Sequence, residues 1–368
     1  MQSATISNGS VKQPNPTRKS GQTTLSAAPP CDAAIVADLC CGMGGLALAA
    51  RELGMRIGVG VDVDLHAERT FSKNFPEAEF VNGSIRSPNV INRCIQILGK
   101  LNHSSMPLIL VSGPPCQGFS IAGSRDPVDP RNQLLMAVAR AIGTLKPKCA
   151  LIENVARVLA HPHNKRLQQF RETISSAGYS VQSLVLDAVE FGVAQRRRRA
   201  FFLITENQVD ADEVKVLLEE LKSPEVNVRK ALKGLPRPEV RPDDYDDERN
   251  YGAYYNHFAM QHSTEVISKI AALKPGTGPM SYRRLHPSTP SKTIFSGHRA
   301  PPAHHREPRS ITVREAARLQ GFPDTFRVYG SFANQMQQVT NAVPPPLAKA
   351  VLQVLAKLAG LPDIQNNT

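Results

Sequence analysis

The chain has 368 residues, 41% of them hydrophobic, and its 44 Lys and Arg against 32 Asp and Glu give a formal net charge of +12 at pH 7. A chain of this length can bury the core of one large or two ordinary domains, and the composition is ordinary for a globular protein. No apolar run reaches the roughly 18 residues of a membrane span, and no signal-peptide pattern opens the sequence, so we expect no membrane association.

The positive charge is concentrated in two stretches. Residues 283–309 contain six Lys or Arg and four His against one acid, Glu307, and residues 196–199 are four consecutive arginines. Basic surface attracts nucleic acid over long distances, which makes a polyanion the first candidate partner. The alternative is a generally basic protein without a specific partner.

The six cysteines, at positions 31, 40, 41, 94, 116 and 149, are scattered and form no C-x-x-C pair. This spacing argues against a zinc site or a disulfide framework and favours a reducing compartment. We therefore expect no metal and a cytoplasmic location.

The first ordered elements are predicted after residues 1–32, whose Ser, Thr, Gln, Asn and Pro content is typical of a disordered tail. A strand over 34–39, a glycine-rich turn, a helix and a strand over 57–61 follow in order. The pattern Gly42-x-Gly44-x-x-Ala47 fits the dinucleotide fingerprint, and Asp62 lies 20 residues beyond Gly42, where a ribose ligand is expected. The pattern predicts a nucleotide-binding βαβ unit; the alternative is a tight packing turn with no ligand.

A third apolar strand, 108–111, leads into Gly113-Pro114-Pro115-Cys116. Consecutive prolines stiffen the approach to the cysteine, and Gly118 and Gly123 allow movement beyond it. This pattern suits a nucleophile covered by a closing loop, although a buried and inert cysteine would also fit it.

Two further groups of polar residues accompany predicted strands. Glu153 follows a short strand over 150–152, and in a strand Arg197 and Arg199 share one face while Arg196 and Arg198 share the other. Open α/β sheets place their sites at the carboxyl ends of strands, so we expect Cys116, Glu153 and the glycine turn at one edge. A thiolate there could add to an electron-poor ring, and a glutamic acid could polarise a ring nitrogen.

The regular alternation of strands and helices ends near residue 205. Residues 33–205 are therefore predicted to form an α/β domain, 206–290 an irregular smaller domain that continues through 291–340, and 341–368 a helical segment that returns to the first domain. Thr312 with Glu315 three residues later predicts a capping box at the start of a helix in the 291–340 part.

These motifs together resemble the DNA (cytosine-5-)-methyltransferases of the bacterial modification type. The similarity covers roughly residues 34–205 and 282–358. It rests on six motifs in the family's order: Asp38 to Gly45, Gly113 to Ser120, Glu153 to Val155, Gln195 to Arg199, Arg314 to Phe322 and Asn341 to Val343.

The resemblance implies a Rossmann-like domain that depends on S-adenosylmethionine, with a smaller target-recognition domain over 206–290. Double-stranded DNA would be the substrate, with one cytosine flipped out of the helix beneath a loop over 117–131. The implied catalytic residues are Cys116, Glu153, Arg197 and Arg199. The implied cofactor residues are Asp38, Cys40, Gly42, Gly44, Gly45, Leu46, Asp62, Val63, Ser84, Ile85, Pro114, Asn341 and Val343.

In the implied mechanism Cys116 attacks C6 of the cytosine and Glu153 contacts N3 and the exocyclic amine. Arg197 holds the base. The sequence departs from the family at two positions near the expected adenine: Cys40-Cys41 replaces the usual Phe-Ala, and Ser84 stands where an Asp is common. Both changes predict weaker contacts with the adenine, and neither alters the catalytic set.

The sequence leaves three alternative functions open: a tRNA cytosine-5 methyltransferase of the same fold, a nicotinamide oxidoreductase, and a non-catalytic DNA-binding relative. If the protein is a DNA cytosine-5 methyltransferase, we expect a monomer associated with the nucleoid. A cognate restriction enzyme would act on the same DNA without direct contact.

Overall fold

The computed structural model describes residues 33–101, 106–115, 133–160, 165–241, 254–279, 282–295 and 301–362. The predicted N-terminal tail, the predicted lid over 117–131 and Cys116 itself lie outside the described residues, as do residues 242–253 of the predicted recognition region.

A seven-stranded sheet in the order β3-β2-β1-β4-β5-β7-β6 forms the centre of the described structure. Strands β3, β2, β1, β4 and β5 pair in parallel, and β7 runs antiparallel to both β5 and β6. The strands are β1 (Ile35–Leu39), β2 (Arg56–Asp62), β3 (Glu79–Asn82), β4 (Leu108–Ser112), β5 (Cys149–Val155), β6 (Ser180–Asp187) and β7 (Arg198–Thr205).

Helices cover both faces of this sheet, which is why most residues of its central strands are apolar. All five residues of β1 are buried, and their side chains alternate between two hydrophobic cores, with Val36 in one and Ile35 and Ala37 in the other. The helices are α1 (Gly45–Glu52), α2 (Leu65–Asn74), α3 (Pro88–Leu101), α4 (Leu134–Leu145), α5 (Lys165–Ser176), α6 (Ala211–Glu220), α7 (Val228–Ala231), α8 (Thr264–Ala271), α9 (Val313–Leu319), α10 (Phe332–Asn341) and α11 (Pro345–Leu358).

The α/β architecture predicted from the sequence is confirmed. Helices α1 and α11 pack on one face of the sheet, and α3, α4 and α5 pack on the other. The capping box at the start of α9 is also confirmed, since Thr312 accepts from the Glu315 N–H and the Glu315 carboxylate accepts from the Thr312 N–H.

The smaller part of the chain is less regular. Helix α6 packs against α11, and a two-residue pair, β8 (Glu239–Val240) with β9 (Phe258–Ala259), forms a separate sheet. The division into a catalytic and a recognition domain stays a prediction. No helix among the described residues is both long and apolar enough to cross a membrane.

The sheet order reverses between β1 and β4, because the chain continues from β1 to β2 on one side and returns to β4 on the other. In open α/β sheets a crevice forms at such a point, beyond the carboxyl ends of the strands. Because β7 is antiparallel, its first residues lie at this same edge. The fold thus brings the turn after β1, the segment after β4, Glu153 and the arginine run together.

Candidate active site

The turn after β1 is shaped by glycines with positive φ. Gly42 (φ +52°) and Gly44 (φ +92°) adopt the left-handed conformation, which a side chain would strain. A Cβ at Gly42 would meet no atom within 4 Å, so the backbone faces open space there. The turn therefore allows a ligand to approach the main chain at the start of α1.

Asp62, the last residue of β2, is bonded to this turn. One carboxylate oxygen accepts from the Gly42 N–H at 2.8 Å, and the other accepts from the Val63 and Asp64 N–H groups at 2.7 and 3.1 Å. Burial raises the pKa of Asp62, and these backbone donors oppose the rise. The carboxylate thus holds the end of β2 against the glycine turn.

Asp38 lies beneath the turn and is fully buried. Its Oδ2 accepts from the Ala47 N–H at 3.2 Å, whereas Oδ1 has no partner within the described residues. Burial raises the pKa of Asp38 well above its usual range, and the charge of Asp62 adds to the rise. A buried acceptor without a partner is rare in proteins and is suited to a ligand that brings a donor or a positive charge.

Cys40 follows β1 with φ +61° and is half-buried, while Cys41 is buried. Burial raises the pKa of both thiols, and the carboxylates of Asp62 and Asp38 raise it further. Both thiols are therefore held neutral, which argues against a nucleophilic role for either.

The other predicted cofactor residues lie on several segments. Leu46 and Ile85 are buried, Val63 is 65% exposed, and the Ser84 hydroxyl accepts from the Arg86 N–H at 3.3 Å. Val343, between α10 and α11, lies against the turn: a Cβ at Gly45 would come within 2.3 Å of the Val343 carbonyl oxygen. Asn341 ends α10 and is exposed.

Glu153 occupies the neighbouring part of the same edge. Its carboxylate is 2.8 Å from Arg199 Nε, and the residue is only 8% exposed. Burial raises the pKa of Glu153, opposed first by Arg199 and then by Arg197. A Cβ at Gly113 would lie 3.6 Å from Glu153 Oε2, so the segment that leads to Cys116 passes beside this carboxyl.

Arg197 and Arg199 have different partners. Arg197, 2% exposed, donates through Nη2 to the carbonyls of Ala342 and Asn341 at 3.0 and 3.4 Å, and its backbone N–H donates to Asp187 Oδ1 at 2.9 Å. Burial lowers its pKa. Arg196 and Arg198 are exposed, in agreement with the two-residue period. Arg197 thus connects this edge to the segment before α11, and Arg199 holds Glu153.

Three polar contacts at this edge were not predicted from the sequence. The Ser112 hydroxyl donates to the Leu39 carbonyl at 2.5 Å, Asp187 accepts from Arg197, and Asn154 donates to the Pro114 carbonyl at 3.2 Å. A polar residue inside an apolar strand was the available signal for Ser112 and Asn154. Among the described residues, no cluster of three or more His, Cys, Asp or Glu side chains could hold a metal ion.

Comparison with known proteins identifies the family. The model of the C-5 cytosine-specific DNA methylase family matches residues 35–357. The chain belongs to this family. It is 32% identical over 339 residues to the Type II methyltransferase M1.HphI of Haemophilus parahaemolyticus, covering 87% of this chain and 86% of that protein. It is 27% identical over 369 residues to M.DdeI of Desulfomicrobium norvegicum, with 86% and 87% covered.

Solved structures agree with this family membership. A protein described as a DNA modification methyltransferase encoded within an E. coli prophage superposes with a TM-score of 0.72 at 26% identity, over 89% of this chain and 99% of that one. The S. pombe Dnmt2 methyltransferase, at 16% identity and a TM-score of 0.61, shares the fold, over 88% of this chain and 98% of that one. The chain is a DNA cytosine-5 methyltransferase, which methylates C5 of cytosine in DNA, and its Type II relatives associate it with restriction–modification.

Proposed function

We propose that this methyltransferase binds S-adenosylmethionine at the turn after β1 and methylates a cytosine extruded from a specific duplex sequence, through a covalent bond between Cys116 and C6. The observation that carries the proposal is the buried Glu153 carboxyl, paired with Arg199 at 2.8 Å, beside the segment that leads to Cys116. A base that enters this edge meets an acid, an arginine and the approach to a thiol together.

The residues of the turn fit S-adenosylmethionine. Asp38 offers an unpaired buried oxygen, Gly42 leaves space next to the backbone, and the Asp62 carboxylate is held at the turn by the Gly42 N–H. When bound, S-adenosylmethionine supplies an activated methyl group on a positively charged sulfonium. The turn itself would contribute Cys40, Gly44 and Gly45. The rest of the site would be lined by Leu46, Val63, Ser84, Ile85, Pro114, Asn341 and Val343.

Gly45 gives a test of this cofactor site. In Gly45→Ala the new methyl group would collide with the Val343 carbonyl, which cannot move away without displacing the segment before α11. Overpacking of this kind costs about 1–3 kcal/mol, so we expect binding of S-adenosylmethionine to weaken by about 5- to 150-fold in a calorimetric titration.

The control for Gly45→Ala is Gly99→Ala in α3, where an added Cβ meets no atom within 4 Å. This variant should bind S-adenosylmethionine as the wild type does. If Gly45→Ala also binds with unchanged affinity, the cofactor does not depend on the contact between the turn and Val343.

In the proposed reaction the Cys116 thiolate forms a bond to C6 of the cytosine. A proton from the Glu153 carboxyl goes to N3, and the electron pair of the C5–C6 double bond becomes available at C5. Once C5 carries the methyl group, water takes the C5 proton, and the C5–C6 double bond re-forms as the C6–S bond breaks to return the thiolate. The proton on N3 returns to the Glu153 carboxylate. The raised pKa of Glu153 supports its role as the proton donor.

The geometry favours Arg199 over Arg197 for the contact with the base. Arg199 is the partner of Glu153, whereas Arg197 is committed to the carbonyls of Asn341 and Ala342. We therefore assign Arg199 to position Glu153 and to stabilise the charge that develops on the base. Arg197 would connect the start of β7 to the segment before α11.

The DNA would lie across this edge, with the exposed Arg196 and Arg198 close to its phosphates. Enzymes that modify a base inside a duplex flip it out of the stack, and residues 206–290 would read the flanking bases in the major groove. Since its substrate is DNA, we place the enzyme in the cytoplasm at the nucleoid. It would act as a monomer, and a cognate restriction enzyme would share its sequence without touching it.

Base-resolution mapping of 5-methylcytosine tests this function. Purified protein is incubated with S-adenosylmethionine and mixed-sequence duplex DNA, with tRNA as the competing acceptor. We expect methylation of cytosine within one short duplex motif. Methylation of tRNA alone would contradict the proposed substrate, and methylation without sequence preference would contradict the recognition role of residues 206–290.

A further inference from the structure

Asn154 is a buried polar residue that the proposed reaction does not use. It follows Glu153 in β5, is 2% exposed, and makes two hydrogen bonds through its carboxamide. Nδ2 donates to the Pro114 carbonyl at 3.2 Å, and Oδ1 accepts from the Val155 N–H at 2.8 Å. Because a backbone N–H can only donate, the second bond requires oxygen at that position and leaves Nδ2 facing Pro114.

The contact lies where the ladder between β4 and β5 stops. Pairing between these strands ends at Ser112 and Ile152, whereas β5 continues alongside β7 to Val155. Pro114 and Pro115 have no N–H, so their segment can be bonded only through its carbonyls. The Asn154 side chain thus supplies the bond that the backbone no longer makes, and it holds the Pro114 peptide against the strand that carries Glu153.

We propose that Asn154 is a positioning residue for methyl transfer: its carboxamide holds the Pro114 peptide so that the nucleophile two residues later and the Glu153 carboxyl reach the same cytosine ring. The inference rests on the proposed function, in which Cys116 acts at C6 while Glu153 acts at N3. Because both groups act on one ring, their separation must be kept. A displacement of about 1 Å can cost about 100-fold in rate.

The close approach of Gly113 to Glu153 supports this role. A Cβ added at Gly113 would lie 3.6 Å from Glu153 Oε2, and Gly113 is one residue before the proline whose carbonyl Asn154 holds. The proline pair transmits this placement because its φ angles are restricted. Rotation about the φ angles of Pro114 and Pro115 can therefore absorb little of a shift of the Pro114 peptide.

Asn154→Asp tests the role, because it keeps the shape and the bond from Val155 but replaces the donor to Pro114 with an oxygen. We expect the single-turnover rate of methyl transfer to fall about 100-fold. The dissociation constants for S-adenosylmethionine and for duplex DNA should stay within about threefold of wild type. Duplex DNA with 5-fluorocytosine at the mapped target gives a second readout. Its C5 carries fluorine in place of the hydrogen that must leave as a proton, so the Cys116 adduct cannot break down and accumulates. Its formation should slow by the same factor.

Asn74→Asp is the matched control. Asn74 is also buried, and its carboxamide donates to the Arg327 carbonyl at 2.7 Å and accepts from the Arg327 N–H at 3.0 Å. Neither partner atom belongs to a residue of the proposed site. This control should lower thermal stability and leave the transfer rate of the folded enzyme unchanged. Asn154→Ala replaces Asn154→Asp if the latter does not fold.

Two results overturn the role of Asn154: a wild-type transfer rate in the variant, or a loss of stability equal to that of Asn74→Asp with no slower adduct formation. The failure of the proposed function is distinguishable from both, because a wild-type enzyme that forms no adduct with 5-fluorocytosine refutes Cys116 as the nucleophile and this positioning role with it.

Discussion

Cys116→Ser abolishes methyl transfer and leaves DNA binding largely intact, if Cys116 is the nucleophile. A serine hydroxyl is a far weaker nucleophile than a thiolate at neutral pH, because it stays protonated. Loss of the nucleophile in an enzyme with covalent catalysis costs at least about 10³-fold in turnover. Transfer of labelled methyl groups to the mapped sequence measures the turnover, and a titration with the same duplex measures the affinity.

The control for Cys116→Ser is Cys31→Ser, which changes a cysteine outside all six motifs. That variant should transfer methyl groups at the wild-type rate. The buried cysteines are poorer candidates for the nucleophile, because burial raises the pKa of the thiols of Cys41, Cys94 and Cys149. Substantial turnover by Cys116→Ser would show that the reaction proceeds without a bond from this sulfur to C6.

Local patterns in the sequence predicted much of the fold. The Thr312–Glu315 capping box needs only two residues three positions apart, and it is present. The apolar runs of β1 and β4 likewise correspond to elements in the structure. These signals succeed because hydrogen bonding and burial within one element depend on neighbours in the chain.

Contacts between distant elements could not be read in this way. The predicted strand over 150–152 is too short, since β5 extends from Cys149 to Val155. The extra length at its carboxyl end arises because β7 pairs with β5 beyond the end of β4. The antiparallel direction of β7 brings Arg199, rather than Arg197, to the Glu153 carboxylate. Sequence spacing placed both arginines on one face but could not distinguish their partners.

Helix α2, strand β3 and helix α10 were not predicted, and their composition explains why. Helix α2 is rich in polar residues and buries four of its ten residues, and strand β3 has only four residues, none of them fully buried. Helix α10 buries amide side chains as well as apolar ones: Gln338 donates to the Tyr329 carbonyl at 2.8 Å. Hydrophobic periodicity is weak where buried positions are occupied by polar residues whose partners are distant in sequence.

Arg314 shows how much stability can depend on a buried polar residue whose partners are distant in sequence. It lies in the first turn of α9 and is fully buried, and its guanidinium donates to the carbonyls of Tyr255 at 2.9 Å, Pro323 at 2.8 Å and Phe326. Burial lowers its pKa to about 10, opposed by Asp324. Among these bonds no carboxylate takes part, so the arginine joins the segment before β9, the start of α9 and the loop after it through carbonyls alone.

Arg314→Met should therefore destabilise the protein by about 3–5 kcal/mol, because it leaves buried carbonyls without donors in a site shaped for a guanidinium. Arg314→Lys should recover only part of this loss, since one ammonium cannot reproduce the planar set of donors. Chemical denaturation measures both, with Arg140→Met on the exposed face of α4 as a control expected to change the free energy of unfolding by less than about 0.5 kcal/mol. An Arg314→Met variant as stable as this control would mean that water or rearranged side chains satisfy these carbonyls, and that Arg314 contributes little to the junction around α9.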